Sequence, residues 1–291
     1  MYTEAVLKIN TETKLLGLLG HPLGQSLSPL MHNAAFNDLS LNKLYIPIEV
    51  LPENLETVVK GISKMNFEGF NITKPYKIEI MKFLDETDEY ANCIGAVNTV
   101  TIKNGILKGY NTDGIGFLKS FEKNTGTNIE GKNIFILGSG GAARAISMTL
   151  AINKAKKIYI CNRTFEKASL LSEEIDNYAG KCSTAILMSY EEMKKAINDS
   201  DILINCTSIG MLPNIDETPL DKRLLNKNLI VCDAIYNPRK TKLIKEAEEI
   251  GCKTVTGLDM LVYQGIEAFE LWTETKAPVD LMFKTVEENL K

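Results

Sequence analysis

Lys77 and Asp113 are the charged side chains in this sequence that best suit proton transfer. Lys77 ends the segment Asn71-Ile72-Thr73-Lys74-Pro75-Tyr76-Lys77, which follows an apolar run and predicts a helix with Lys77 in its first turn. A cation there opposes the helix dipole, so Lys77 is either fully solvated or functional. Asp113 in Asn111-Thr112-Asp113-Gly114 is typical of a helix N-cap, and it lies where two domains are expected to join. A lysine and an aspartate that meet in a cleft form an acid–base pair, but the spacing alone does not establish that these two meet.

Two serine hydroxyls near the start of the chain are candidates for holding a small carboxylate. Ser28 is followed by Pro29, a pair typical of a helix N-cap and first turn, whereas Ser26 has no such local role. Hydroxyls beside a helix N-terminus suit an anion, because the helix dipole and free N–H groups favour negative charge there. Asn98 lies in a strand-like run and is either an exposed strand position or a further polar ligand.

A glycine-rich turn is the most informative motif in the sequence. The apolar run at 134–137 leads into Gly138-Ser139-Gly140-Gly141-Ala142, after which a helical pattern begins. Glycines permit a tight turn and the close approach of a diphosphate, which the following helix N-terminus favours. A second strand-like run at 157–161 supplies the context that this motif requires, and Ala143 stands in place of the third glycine. The alternative is a tight strand–helix turn that binds nothing.

The residues after that second run indicate which nucleotide is bound. An acid at this position would bind the ribose 2′-hydroxyl of NAD, but the chain has Asn162-Arg163-Thr164. The Arg163 guanidinium can bind a 2′-phosphate through two hydrogen bonds, and Thr164 can cap the next helix, donate to that phosphate, or both. We therefore expect NADP(H) in preference to NAD(H). A solvated arginine beside a helix cap is the alternative.

Composition limits the classes of function. The 291 residues suffice for two modest domains, and 44% hydrophobic and 24% charged residues are ordinary for a globular protein. A net charge of −4 argues against nucleic acid as a partner, and no apolar run is long enough to cross a membrane. Met1-Tyr2-Thr3-Glu4 lacks the layout of a signal peptide, and the six scattered cysteines suggest reduced thiols, so a cytoplasmic protein is expected. With two histidines and no acid–histidine cluster, no metal site is expected.

The elements that must position these residues alternate between strands and helices. The pattern in the first part of the chain predicts three strands, at 15–20, 44–50 and 67–72. It also predicts three helices, at 29–39, 53–65 and 75–84. This alternation implies a mostly parallel sheet. Runs at 97–102 and 107–110 flank Asn104-Gly105, which predicts a hairpin.

A helix predicted at 114–123 leads to the glycine-rich turn and a second strand–helix alternation. Further strands are expected at 183–187, 201–205 and 229–233. Further helices are expected at 259–272 and 279–289. The predicted fold is α/β in two domains with a cleft between them: an N-terminal substrate domain with a mostly parallel sheet, and a Rossmann-type nucleotide domain. Ligands of such sheets lie beyond the carboxyl ends of the strands, so motifs that follow strands are the site candidates.

Together, the motifs closely resemble the shikimate dehydrogenase family, nearly from end to end. The matching blocks are Ser26-Leu27-Ser28-Pro29 with Met31-His32-Asn33-Ala34-Ala35-Phe36, Asn71 to Lys77, Gly95-Ala96-Val97-Asn98-Thr99, Asn111 to Gly114, the glycine-rich turn, Asn162-Arg163-Thr164, Asn205 to Met211, Asp233 to Pro238, and Gly257 to Gly265. Each block alone is weak evidence, whereas their common order is highly specific.

The resemblance implies reversible NADPH-dependent reduction of 3-dehydroshikimate to shikimate in aromatic amino acid biosynthesis, with Lys77 and Asp113 as the acid–base pair. It implies that the substrate carboxylate is held by Ser26 and Ser28, that ring hydroxyls are bound by Thr73, Asn98, Asp113 and Gln264, and that Tyr236 lines the same pocket. For NADP(H), it implies diphosphate contacts from Gly138, Ser139, Gly140, Gly141 and Ala142, 2′-phosphate contacts from Asn162, Arg163 and Thr164, and positions near the nicotinamide for Thr207, Met211 and Gly257.

The resemblance also implies a substrate domain of residues 1–112, completed by helices within 258–291, and an NADP domain of residues 113–257. The partner is a small-molecule substrate, and a monomer or homodimer is expected. One alternative is a quinate/shikimate dehydrogenase that uses NAD or NADP; such paralogues tend to carry an acid shortly after the arginine that follows the second strand, and Thr164 argues against this alternative. The others are a non-catalytic shikimate-sensing homologue and a different NADP enzyme on a similar frame. Lys74 departs from the family, which has an apolar residue there, and predicts either a second cation near Lys77 or a solvated side chain.

Overall fold

Apolar runs that end in a glycine or a turn form the strands of two separate sheets. The computed structural model describes residues 9–24 and 26–290, so Met1-Tyr2-Thr3-Glu4 lies outside the described residues. The chain divides into two compact units: the first contains the described residues up to Thr112 together with Gln264–Asn289, and the second contains Asp113–Tyr263. Among the described residues, no helix combines the length and apolar character needed to span a membrane.

The first unit contains a six-stranded mixed sheet. Its strands are β1 (Lys14–Gly20), β2 (Lys43–Glu49), β3 (Phe67–Ile72), β4 (Glu86–Thr87), β5 (Thr99–Lys103) and β6 (Ile106–Tyr110). Their order is β2-β1-β3-β5-β6-β4, with β1 parallel to β2 and β3, β5 antiparallel to β3 and β6, and β4 parallel to β6. The predicted hairpin forms between β5 and β6, and its two turn residues, Asn104 and Gly105, have the positive φ angles (53° and 80°) that such a turn requires.

Three α-helices accompany this sheet: α1 (Ser28–Asp38), α2 (Leu55–Ile62) and α3 (Glu89–Ile94). The α-helix predicted at 75–84 is wrong. The Lys77 carbonyl accepts the Val97 N–H at 2.7 Å, so the Met81 N–H bonds instead to the Ile78 carbonyl, three residues before it. A turn and a short 3-10 helix, Glu79–Phe83, therefore replace the helix, and Lys77 lies in that turn.

The second unit is built on a six-stranded, fully parallel sheet. Its strands are β7 (Asn133–Leu137), β8 (Lys157–Cys161), β9 (Ser183–Ile186), β10 (Ile202–Asn205), β11 (Ile230–Asp233) and β12 (Lys253–Val255), and its helices are α4 (Asp113–Thr125), α5 (Gly141–Ile152), α6 (Phe165–Ala179), α7 (Tyr190–Asn198) and α8 (Lys242–Ile250). The order β12-β11-β10-β7-β8-β9 is that of a doubly wound Rossmann fold. The strand order reverses between β7 and β10, and ligands of this fold bind beyond the strand ends at that point.

Two C-terminal helices follow: α9 (Gly257–Thr273) and α10 (Val279–Asn289), the latter with the predicted bounds. The division between the units falls within α9, after Tyr263. In the first unit, the Trp272 indole N–H donates to the Val100 carbonyl at 2.9 Å, and α10 packs on α1. The final helices thus complete the core around the first sheet.

Candidate active site

The turn after β3 presents Thr73 and Lys77 from a fixed backbone. The Tyr76 N–H donates to the Thr73 carbonyl at 3.1 Å, and the Lys77 carbonyl is held by Val97. Tyr76 is buried and its hydroxyl donates to the Val50 carbonyl, which ties the middle of the turn to the core. Because Lys77 is not in a helix, the predicted conflict with a helix dipole does not arise. Thr73 and Lys77 are half-buried, whereas Lys74 is exposed.

Ser26 and Ser28 come together at the N-terminus of α1. The predicted N-cap role of Ser28 is wrong: Leu27 occupies the cap in a helical conformation, and Ser28 is the first helical residue. The Ser28 N–H donates to Ser26 Oγ at 3.3 Å, and the two hydroxyl oxygens are also 3.3 Å apart. The first turn contains no acidic residue, so both hydroxyls lie where an anion is favoured.

Asn98 is buried, with 2% of its surface exposed, and is not an exposed strand position. Its Oδ1 accepts the Thr112 N–H at 2.8 Å and the Thr99 hydroxyl at 3.0 Å, while its Nδ2 donates to Thr112 Oγ1 at 2.9 Å. These bonds set the orientation of the amide. They also fix the backbone of Thr112, which immediately precedes Asp113.

The hydrogen-bonded network around Asn98 extends to residues for which the sequence predicted no role of their own. Asn71 Nδ2 donates to the Asn98 carbonyl at 3.1 Å and to Thr99 Oγ1 at 3.0 Å, and the Tyr45 hydroxyl donates to Asn71 Oδ1 at 2.7 Å. Burial raises the pKa of Tyr45, which keeps the phenol protonated. We call Tyr45, Asn71, Asn98, Thr99 and Thr112 the amide network, and every member is neutral. Asn71 stands within a recognised motif, but nothing in the apolar run around Tyr45 signals a polar role.

Asp113 is the first residue of α4 and is 7% exposed. Asp113 belongs to the second unit, whereas Lys77 belongs to the first, as does Gln264 on α9. The pairing of Lys77 with Asp113 stays a prediction.

The glycine-rich turn after β7 has the open backbone that a diphosphate requires. Gly138 has a φ of 108°, and a Cβ there would lie 3.2 Å from the Cys206 carbonyl group, so the turn needs glycine. Gly140 is the N-cap of α5, and no described atom lies within 4 Å of where its Cβ would be. The first turn of α5 has no acidic residue. The residues present therefore fit the phosphates of a dinucleotide.

The segment after β8 fits a 2′-phosphate. Arg163 is exposed, and in the described part of the chain no carboxylate forms an ion pair with its guanidinium. Thr164 is the N-cap of α6, but its hydroxyl makes no capping bond, while Asn162 Nδ2 donates to the Thr164 carbonyl at 2.9 Å. Of the roles predicted for the Thr164 hydroxyl, capping is therefore not seen. Within the described ranges, no three or more His, Cys, Asp and Glu side chains are grouped to hold a metal ion.

The remaining predicted residues lie after β10 and β11. The Thr207 hydroxyl is engaged within its own loop, since it donates to Asn205 Oδ1 at 2.7 Å and accepts the Ile209 N–H at 3.2 Å. Met211 and Tyr236 are half-buried, and burial raises the pKa of the Tyr236 phenol. At Gly257, a Cβ would lie 2.5 Å from the Ala234 carbonyl oxygen, so only glycine allows α9 to begin this close to the chain after β11.

Comparisons with known proteins point to a single family. The shikimate dehydrogenase substrate binding domain matches residues 18–100, the shikimate/quinate 5-dehydrogenase family matches 120–260, and the shikimate 5′-dehydrogenase C-terminal domain matches 257–287. A shikimate dehydrogenase (NADP(+)) of Methanopyrus kandleri is 45% identical over 97% of this chain and 98% of its own. A crystal structure of a shikimate dehydrogenase in complex with NADP+ superposes with a TM-score of 0.91 at 44% identity, covering 97% of this chain and 98% of the other. A Listeria monocytogenes shikimate 5-dehydrogenase in complex with shikimate and NAD gives 0.90 at 39% identity, covering 95% and 97%.

Proposed function

The chain belongs to the shikimate dehydrogenase family, and we propose that Lys77 and Asp113 form the acid–base pair of its reaction. It is an NADP-dependent oxidoreductase that interconverts 3-dehydroshikimate and shikimate, a step of aromatic amino acid biosynthesis. The observation that carries this function is the 45% identity to an NADP-dependent shikimate dehydrogenase over 97% of the chain. We further propose that the protein is cytoplasmic and that it is a monomer or homodimer. Light scattering tests the oligomeric state.

The second unit would hold NADP(H) through the turn Gly138 to Ala142 and through Asn162, Arg163 and Thr164. Support comes from the open backbone at Gly140 and from the exposed guanidinium of Arg163. When bound, NADPH supplies the hydride for the ring ketone. Thr207, Met211 and Gly257 would lie near the nicotinamide, where the Thr207 hydroxyl acts through its loop, because its hydrogen bonds are already made to Asn205 and Ile209.

Apart from Asp113 and Tyr236, the proposed substrate ligands belong to the first unit and consist of neutral groups and one cation. Ser26 and Ser28 would hold the carboxylate, since their hydroxyls lie 3.3 Å apart at a helix N-terminus. The ring hydroxyls would be bound by Thr73, Asn98, Asp113 and Gln264, with Tyr236 lining the pocket. The fixed orientation of the Asn98 amide supports this role, because a preorganised amide discriminates between hydroxyl positions of a ring.

The proton would move at the C3 oxygen of the substrate. In the reducing direction, the Lys77 ammonium donates a proton to that oxygen as negative charge develops on it. In the oxidising direction, the neutral amine accepts the hydroxyl proton. The Asp113 carboxylate would position the ammonium. The backbone next to each group is hydrogen-bonded, because Asn98 holds the Thr112 N–H and Val97 holds the Lys77 carbonyl.

Replacement of Lys77 tests the proposed pair. Lys77→Ala should lower kcat by roughly 10²–10⁴-fold, the usual contribution of general acid–base catalysis, with a much smaller change in shikimate binding. Lys74→Ala is the matched control, because Lys74 is exposed in the same turn, and its kcat should stay within about twofold of wild type. Near-normal kcat in Lys77→Ala would contradict the pair.

Substrate and cofactor comparisons separate the alternatives. Nicotinamide absorbance should report rapid reduction of NADP+ with shikimate. Comparable rates with NAD+ or quinate would indicate the broader quinate/shikimate class. Shikimate binding without turnover, in folded protein, would indicate a sensing homologue.

A further inference from the structure

Asp233 is a buried carboxylate to which the proposed reaction assigns no role. It ends β11, is 3% exposed, and accepts hydrogen bonds from three directions. Its Oδ1 accepts from Asn205 Nδ2 and from the Ile235 N–H, both at 3.0 Å, and its Oδ2 accepts the Thr241 hydroxyl at 2.6 Å. These donors belong to three separate chain segments: the end of β10, the chain after β11, and the start of α8.

Asn205 connects this carboxylate to the loop after β10. Its Oδ1 accepts both the N–H of Thr207, at 3.0 Å, and the Thr207 hydroxyl, at 2.7 Å. The Thr207 oxygen in turn accepts the Ile209 N–H. A continuous chain of hydrogen bonds therefore runs from Asp233 into the loop 207–211, which includes Thr207 and Met211.

Thr241 lies beside the same loop at Gly210. It is the N-cap of α8, and its hydroxyl accepts the Ile244 N–H at 3.4 Å while donating to Asp233. Its side chain also lies beside Gly210, since a Cβ at Gly210 would be 3.5 Å from Thr241 Cβ. Gly210 itself has a φ of 95°, so the loop turns tightly where Thr241 contacts it.

Packing alone does not explain a charge at this place. Among the described residues no cation pairs with Asp233, and burial raises its pKa to about 6 despite the three hydrogen bonds. A buried, unpaired carboxylate costs stability, and an apolar or amide side chain would avoid that cost. What a carboxylate offers here is two acceptor oxygens that join donors from three segments.

We propose that Asp233 is a positioning residue, which sets the loop 207–211 through Asn205 and Thr241 and the approach to Tyr236 through the Ile235 N–H. This inference rests on the proposed function, because that function places Thr207, Met211 and Tyr236 near the reacting groups. With 3% of its surface exposed, Asp233 would act without touching substrate or cofactor. Asp233 therefore affects the geometry of hydride transfer and not the affinity of the protein for the adenosine part of NADP(H).

Three variants isolate the positioning effect. Thr241→Val removes the hydroxyl at nearly constant shape, and Thr241→Ser keeps the hydroxyl. Asp233→Asn keeps one acceptor oxygen but presents N–H groups toward Thr241. Ser189→Ala is the matched control, because Ser189 caps α7 by accepting the Glu192 N–H and has no link to the loop. It reproduces the loss of a helix cap without the loss of the Asp233 bond.

The variants should separate kcat from binding. We expect kcat to fall roughly tenfold in Thr241→Val and Asp233→Asn, because small misplacements of reacting groups slow transfer steeply. Thr241→Ser and Ser189→Ala should stay within about twofold. The Kd of adenosine 2′,5′-bisphosphate, which carries no nicotinamide, should change less than twofold in all four variants. Unchanged kcat in Thr241→Val, or an equal loss of bisphosphate binding, would overturn the proposal.

Amide hydrogen exchange provides a readout that does not depend on turnover. The N–H groups of Thr207 and Ile209 should exchange faster in Thr241→Val than in wild type, and at the wild-type rate in Ser189→Ala. Unchanged exchange in Thr241→Val would overturn the positioning role even if the wild type showed no activity. Absence of turnover in wild type would instead contradict the proposed function.

Discussion

The two units bury polar groups in opposite ways. In the first, the amide network joins the end of β3 to the chain before α4 through side-chain amides and hydroxyls, all of them neutral. In the second, one carboxylate, Asp233, joins the ends of β10 and β11 to α8. A neutral network keeps its hydrogen bonds over a wide range of pH. A network centred on a carboxylate changes its donors and acceptors when that group takes up a proton.

The buried titratable groups show the same contrast. In the first unit, His32 is fully buried against Phe36, Tyr45 and Trp272, and neither ring nitrogen has a hydrogen-bond partner among the described residues. Burial lowers the pKa of His32 to about 3, whereas it raises the pKa of Asp233 to about 6. Desolvation disfavours the charged form in both cases, so acidification opposes folding at His32 and favours it at Asp233.

The largest effect is expected when the amide network is given a charge. Asn98→Asp keeps the size of the side chain but places a carboxylate where every hydrogen-bond partner named above is neutral. Burial of this new charge should lower the free energy of unfolding at pH 8 by roughly 3–5 kcal/mol. The thermal midpoint measures this loss, which should shrink at pH 5 as the introduced carboxyl becomes protonated. A midpoint at pH 8 within 2 °C of wild type, roughly 1 kcal/mol or less, would show that the network tolerates charge.

Replacement of His32 should remove a source of acid sensitivity from the first unit. The folded-state pKa lies below the ordinary 6.5, so the unfolded chain binds the proton first, and stability falls as the pH drops from 6.5 toward 3. At pH 4 the free energy of unfolding of the wild type has fallen by about 3 kcal/mol for this reason. His32→Phe should not show that fall. The difference in urea midpoint between variant and wild type should therefore grow on acidification. His21→Gln is the control, because His21 is partly exposed beside Glu49; an equal slope in both variants would refute the assignment.

The opposite pH dependence is expected for Asp233→Asn. The folded-state pKa is raised, so the contribution of Asp233 to stability is lost as the pH rises from about 4 to about 6. The amide avoids that loss of about 3 kcal/mol in the free energy of unfolding, but it weakens one hydrogen bond. At pH 8 the variant should therefore be about 2 kcal/mol more stable than the wild type. Urea unfolding at pH 4 and 8 checks this. The quantity to compare is the free energy of unfolding of the variant minus that of the wild type. If this difference were smaller at pH 8 than at pH 4, the charge itself would stabilise the fold.

Much of the fold was predictable because it depends on local signals. The hairpin at Asn104-Gly105 and the helix α10 follow from turn chemistry and from periodicity, and both form as predicted. The helix expected at 75–84 failed because a distant strand decides its hydrogen bonds: Val97 takes the Lys77 carbonyl. No local pattern reveals that competition.

The candidate site divides in the same manner. The motifs after strands could be found from residue types, because glycines at a helix N-terminus leave the backbone open to a phosphate and an arginine guanidinium can bind one through two hydrogen bonds. The groups that hold them could not, since Tyr45 and Thr241 reach Asn71 and Asp233 through contacts 26 and 8 residues apart in the chain. Asp233 carried a signal within a matching block, but only the structure gives its partners.

The smallest effect concerns the charge that the second unit exposes at Arg163. If this guanidinium binds the 2′-phosphate, Arg163→Ala should lower kcat/KM for NADP+ about tenfold, roughly 1.4 kcal/mol, and leave the value for NAD+ within twofold. Arg223→Ala is the matched control, because Asp221 already binds that exposed guanidinium through Nε at 2.9 Å, and neither cofactor should be affected. Equal losses for NADP+ and NAD+ would place Arg163 against a part common to both nucleotides.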